Sequence, residues 1–308
     1  MLRNLVFLIT IMFMLPCCNE GSGIIDNKTS STQQTPQSPK NNIDPTPGNQ
    51  TLTKVRIGSW NLTKTNDSSK DLTKIARVIE DNFDVIAIRG ISDQGSLSNL
   101  LNKLTGWNYM VSSTVIGTAP FNEYLATIYR SNGFLNNKNY FIELTQVTRK
   151  PLVTCLRYLD LTKFCISNSY MTDSNTEYGI LNEIYNLNDF IAGIMGISNT
   201  GVEKDFIYTG SFMMDHTDVA FNNLRAAGYQ LAASSSYNNF IDNGVYSSPR
   251  DHIFVNPTTQ KQFMPGSYQM IDIVSKYCAN DFNSCKTTIS AYAPLSITTD
   301  LSVGDNTL

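Results

Sequence analysis

Residues 55–91, VRIGSWNLTKTNDSSKDLTKIARVIEDNFDVIAIRGI, decide the fold class. Val55–Leu62 alternates well enough for a strand with one buried face. Leu72, Ile75, Val78 and Ile79 then repeat at helical spacing, and Ser68 with Asp71 three residues on predicts the helix start, close to a capping box. DVIAI (Asp84–Ile88) is a short, unbroken apolar run of the kind that forms a buried strand. Leu97, Leu100, Leu101 and Leu104 mark a second amphipathic helix, so the opening order is β-α-β-α.

Beyond it the chain is rich in strands: Tyr124–Arg130, Tyr140–Val147, Leu152–Leu159 and Lys163–Tyr170. A helix with Ile180, Leu181, Ile184, Leu187 and Ile191 on one face follows. Asp205–Gly210 reads as a strand, TDVAFNNLRAAG as a helix stopped by Gly228, His252–Val255 as a strand, and Pro294–Leu301 as the last one. Strands buried on one side with helices between them predict an α/β fold of two packed mixed β-sheets with helices outside.

The net charge of −3 provides no basic surface of the kind that draws proteins to phosphate backbones, so composition supplies no strong nucleic-acid signal. The first residues, MLRNLVFLITIMFMLPCC, combine one basic residue with an apolar run from Leu5 to Leu15, too short for a membrane span. The run resembles bacterial lipoprotein signals, in which a Leu lies three residues before the acylated Cys; Leu15 stands at that distance from Cys18. Acylation at Cys17 would place Pro16 at the scissile bond, so residues 1–18 are expected to be the signal and Cys18 the lipidated residue. The alternative is an ordinary secretory signal with incidental cysteines. Residues 19–53 are Ser, Thr, Gln, Asn, Pro and Gly with few large apolar side chains, and are expected to form a tether with a reach of roughly 30–35 Å. The folded domain is expected over 54–302, with a tail at 303–308. Its cysteines are four, an even number for an oxidising compartment. Cys155 and Cys165 are symmetric about a turn near Asp160 and could form a disulfide or simply be two small buried side chains; Cys278 and Cys285 close the short polar loop CANDFNSC.

Taken in order, several segments resemble the endonuclease/exonuclease/phosphatase superfamily, and within it the deoxyribonuclease I-like branch, over residues 54–301. IGSWNL is similar to the opening strand that ends in an active-site Asn, here Asn61, and DVIAIRGI to the strand that ends in a Gln-Glu metal site. FNEYLATIYR resembles the segment with an acid before a strand closing in Arg, giving Glu123 and Arg130. VTRKP is similar to an Arg-x-Pro turn, FCISNSY to the strand ending in a catalytic His, TGSFMMD to Gly-Asp-Phe-Asn-x-Asp, PRDHIFV to Tyr-Asp-Arg-Ile, and ISAYAPLSI to Ser-Asp-His-x-Pro. The resemblance implies a four-layer α/β/β/α sandwich of deoxyribonuclease I-like type.

It also implies which chemistry is missing. Phosphodiester hydrolysis in this family needs a carboxylate for a divalent cation, an acceptor pair for the nucleophile and two imidazoles. The Glu falls on Gly90, preceded by Arg89; the first His falls on Ser169; the Asp and Asn fall on Ser211 and Met213; and the terminal Asp-His falls on Ala291 and Tyr292. The chain has two histidines, His216 and His252, with none after His252 and none between Leu152 and Asp205, so no shift of register restores either imidazole. Asn61, Glu123, Arg130, Asp215, Asp251 and His252 remain as candidates for a polar pocket; they could equally support strand ends, as Arg130 would by pairing with a carboxylate. Asp215-His216 and Asp251-His252 with Glu123 have the chemistry of a rebuilt metal site, although neighbours along a strand point in opposite directions. Catalytic residues, metal and cofactor are accordingly expected to be none. The expected function is a non-catalytic binding or scaffolding lipoprotein of a bacterial cell envelope, exported, held at the membrane through its lipid, with a protein or small ligand as partner. The rivals are a divergent metal-dependent nuclease or phosphodiesterase using Glu123, Asp251 and the two histidines, and a secreted host-directed effector.

Overall fold

The computed structural model describes residues 54–112, 123–141, 149–159, 162–171, 182–188, 191, 205–233, 237–257 and 259–302. The expected signal with Cys17 and Cys18, the expected tether over 19–53 and the tail expected at 303–308 lie outside these residues, as do Ile180 and Leu181.

Two six-stranded sheets carry the fold. The first runs, edge to edge, β13 (Gln269–Met270), β14 (Leu295–Asp300), β1 (Lys54–Asn61), β2 (Val85–Ile91), β4 (Tyr124–Arg130) and β3 (Trp107–Val111). The second runs β5 (Phe134–Phe141), β6 (Leu152–Tyr158), β7 (Thr162–Tyr170), β8 (Phe206–Ser211), β12 (Asp251–Val255) and β9 (Gln230–Leu231). Both are mixed: β1 and β2 are parallel, as are β7 and β8, and the other neighbours are antiparallel. A small hairpin, β10 (Phe240–Asp242) and β11 (Val245–Ser248), forms a sheet of its own against the segment around Tyr292.

Alternation along the strands sorts the side chains into three cores. Between the sheets lie Val55, Ile57, Val85, Ala87, Leu156, Phe164, Ile166, Ile207, Ile253 and Ile297. On the outer side of the first sheet Trp60, Ile86, Ile88, Ala126 and Ile128 meet α1 (Leu72–Asn82), α2 (Gln94–Leu101), α5 (Ile273–Tyr277) and α6 (Phe282–Thr288). On the outer side of the second, Val153, Phe206, Tyr208 and Phe254 meet a helical stretch at 182–188 (α3) and α4 (Asn222–Ala226). The layers are therefore α/β/β/α. Each fully buried Ile or Phe contributes roughly 1.5–3 kcal/mol.

Three local expectations need correction. Ser68 lies in a turn, and α1 starts at Leu72 with Asp71 itself as cap, its carboxylate accepting from Thr73 and Lys74 N–H at 3.1 and 3.0 Å. The strand expected at Tyr140–Val147 begins at Phe134, and 142–148 lie outside the described residues. The polar run CANDFNSC is not a plain loop: Asp281 caps α6 by accepting from Ser284 N–H at 2.9 Å, which lets so polar a segment turn helical. Both disulfides are closed, Cys155 facing Cys165 in register across β6 and β7, and Cys278 joined to Cys285 between α5 and α6.

Candidate functional site

The layer between the sheets changes character along its length. Where β1, β2, β7 and β8 end, the inward positions stop being apolar and become Ser59, Asn61, Arg89, Asn168, Tyr170 and Ser211, joined by Asp251 at the start of β12. This polar end is the candidate site.

At its centre is the guanidinium of Arg89, which is fully buried. Its Nε donates to Ser211 Oγ at 3.1 Å, and its two terminal nitrogens donate to Asn168 Oδ1 at 3.1 Å and Ser59 Oγ at 2.9 Å. One terminal nitrogen is also 3.7 Å from Asp251 Oδ2, with both side chains excluded from solvent. The Ser211 hydroxyl donates to the other Asp251 oxygen, Oδ1, and Asn239 Nδ2 donates to Asp251 Oδ2 at 2.9 Å. Burial pushes the Asp251 carboxyl above its usual range, with Arg89 opposing. Asn61 Nδ2 donates to Ser211 Oγ at 3.3 Å.

Glu123 stands beside this group. It accepts from Gly90 N–H at 2.8 Å and pairs with Arg149 at 2.9 Å. Burial pushes its carboxyl up to about 7, against the pull of Arg149. Arg149 lies over the Tyr170 ring, 4.3 Å from its centroid. Gly90 has φ +77°, and a Cβ there would lie 2.6 Å from Thr63 N and 3.0 Å from Asn61 Oδ1. Met213 and Tyr292 close the other flank: Tyr292 packs 5.0 Å from the Phe240 ring, its hydroxyl 3.7 Å from Met213 Sδ, and buried Ala291 lies in the same core.

Asn61, Glu123, Ser211 and Asp251 are thus brought together, whereas the pocket candidates Arg130, Asp215 and His252 lie elsewhere, Arg130 paired with a carboxylate as its alternative reading had it. Arg130 is not in the pocket: it ends β4, roughly 20 Å of strand from Glu123, and donates to Asp84 at 3.0 Å while lying over Trp107. Burial alone would raise the Asp84 carboxyl, but Arg56 and Arg130 together hold it below its usual range. His252 alternates with Asp251 and points to the outer face, caged by Phe212, Phe221 and Phe254, with His216 and Asp215 beside it. Its Nε2 meets Met214 O at 2.8 Å, and burial lowers its pKa to about 4. Ser169 points outward, toward Ser167 at 3.4 Å, whereas Asn168 and Tyr170 are the residues of β7 that face the site.

No protein-family model and no curated protein sequence matches the chain. Solved structures do match. An endonuclease/exonuclease/phosphatase family protein from Bacteroides thetaiotaomicron is 16% identical over 80% of this chain and 94% of its own, with a TM-score of 0.57. The chain has the endonuclease/exonuclease/phosphatase fold. A mannosyl-6-phosphatase of the same bacterium (17% identity, 79% and 98% coverage, TM-score 0.57) and a Neisseria 3′ phosphatase bound to a product DNA hairpin (15%, 80% and 99%, 0.57) share it.

The divalent cation implied by the endonuclease/exonuclease/phosphatase fold does not fit the residues present. Backbone of Thr63 occupies the direction a side chain at 90 would take, and the Asp251 carboxylate already faces a guanidinium. The set Asp215, His216, Asp251, His252 and Glu123 is divided between two faces of the second sheet, and among the described residues no three His, Cys, Asp or Glu side chains form a group that could hold a metal ion. Ser59, Arg89, Arg149, Asn168, Tyr170 and Asn239 belong to the site but are not among the candidates the sequence offers. The one signal is the single charge, Arg89, in the otherwise apolar run of β2.

Proposed function

We propose that this chain is a non-catalytic member of its fold class, a binding or scaffolding lipoprotein of a bacterial envelope, anchored through Cys18 and held off the membrane by residues 19–53. What supports the reading is the make-up of the cleft: the resemblance sets Gly90, Ser169, Ser211, Met213, Ala291 and Tyr292 against the family's general acid, general base and metal carboxylate, and groups that act as a unit lose most of their effect together. Two disulfides agree with an exported domain. The preserved layers leave the outer surface to recognise a protein or small ligand. The test is turnover of a 3′-phosphorylated DNA hairpin, mannose 6-phosphate and a simple phosphodiester with magnesium, calcium or manganese. No release of phosphate or cleavage above a buffer blank is expected. Turnover lost in Glu123→Ala or Asp251→Ala would establish the rival hydrolase.

A further inference from the structure

Arg89 is in an unusual position for a cation. It lies at the middle of a layer between two sheets, with no exposed atom, and its partners come from four strands: Ser59 on β1, Asn168 on β7, Ser211 on β8 and Asp251 on β12. Asn168 extends the set by donating to the carbonyls of Ile88 and Ala126 at 2.8 and 3.0 Å, so that β7 is bonded to β2 and β4 of the opposite sheet. A lone buried charge is strongly unfavourable, and a buried guanidinium persists only when acceptors and a counter-charge surround it. Here they do. Ser211 accepts from Arg89 and donates to Asp251, so the hydroxyl links cation to anion, while Asn239 holds the second carboxylate oxygen.

The residues at positions 89, 90 and 211 all make this end of the domain less negative than the resemblance implies. The resemblance places two carboxylates at 90 and 211; this chain has Gly90 and Ser211, and gains one cation at 89. Glu123 is neutralised by Arg149, so one guanidinium faces the one other carboxylate in the cluster, Asp251. We propose that Arg89 is a resident cation: its guanidinium, supplied by the chain itself, joins the two sheets across the cleft in place of a bound divalent ion. This rests on the non-catalytic reading of the cleft. It deepens that reading by making the shape of this end of the domain independent of divalent ions.

The test is chemical rescue. Arg89→Ala should leave Asp251 beside an unfilled guanidinium site and lower the Tm by roughly 6–20 °C. Millimolar guanidinium, far below denaturing concentrations, should restore at least half of that loss; equal concentrations of urea or tetramethylammonium should not, and Asp251→Asn should abolish the effect. If Arg89→Ala does not fold, the pair Arg89→Met with Asp251→Asn decides: the double variant should fold and melt closer to wild type than either single variant. Additive losses in the double variant would overturn the assignment. So would a folded Arg89→Ala that guanidinium does not stabilise, or a wild-type Tm raised by millimolar manganese in an Asp251-dependent way. Phosphoester turnover measured on the same wild-type samples, with rescue intact, would overturn the non-catalytic reading and leave the role of Arg89 standing.

Discussion

Gly90→Ala tests whether the cleft has been closed by backbone rather than merely stripped of a carboxylate. Gly90 sits at a bulge where the register of β2 against β4 shifts, with φ +77°. An L-residue held in the left-handed region costs about 1–2 kcal/mol. The added Cβ would also lie 2.6 Å from Thr63 N, and that backbone is tied down by Thr63 N–H to Asn61 Oδ1 at 3.1 Å and Thr65 N–H to Gly90 O at 3.1 Å. Overpacking of this kind costs about 1–3 kcal/mol, giving roughly 2–5 kcal/mol in total. Gly244 is the internal control: its φ is also +77°, but nothing lies within 4 Å of the Cβ direction, so Gly244→Ala should show the conformational cost alone, about 1–2 kcal/mol. In a domain of this size the two variants should melt roughly 4–20 °C and 2–8 °C below wild type, with urea midpoints shifting in the same order. Equal losses at the two glycines would refute the steric argument. If it holds, restoring Gly90→Glu with Ser211→Asp, Met213→Asn, Ala291→Asp and Tyr292→His cannot rebuild a metal site until the 62–65 loop moves.

Cys18→Ser should abolish labelling by a fatty-acid analogue and release the protein from membranes, whereas Cys17→Ser should not; labelling that depends on Cys17 alone would refute the anchor assignment. His252 is held neutral by burial, with its pKa lowered to about 4, so the unfolded chain binds the extra proton first. The stability this contributes is present above pH 6.5 and is lost as pH falls through about 4. His252→Phe, placed among three phenylalanines, should flatten the Tm profile across that interval, and an unchanged profile would show that His252 is not what titrates.

Much of the architecture was legible because burial leaves a period in the sequence. β1, β2, β4, β6, β7, β8, β12 and β14 alternate or run apolar, and the stripe of α1 is plain. β3 was not legible: it is an edge strand with Asn108 and Tyr109 exposed, so it keeps no period to read. The site was harder. Successive positions along β7 face opposite sides of the sheet, so Ser169 points outward while its neighbours Asn168 and Tyr170 face the site. Parity along β12 likewise separates Asp251 from His252. Arg130 was a pocket candidate through the resemblance of FNEYLATIYR, but it closes β4 and pairs with Asp84, just before β2, at the end of the strands opposite the site. Arg89 is not legible as a site residue because one charge in an apolar run gives no hint of the four strands that meet it.

The most direct measurement of the central claim is anomalous scattering from a crystal of the domain soaked in manganese. No manganese peak is expected between Glu123, Ser211 and Asp251, and the Arg89 guanidinium should stay in place against Ser59, Asn168 and Ser211. A manganese ion ligated by Asp251 or Glu123, with Arg89 swung out of the layer, would contradict it.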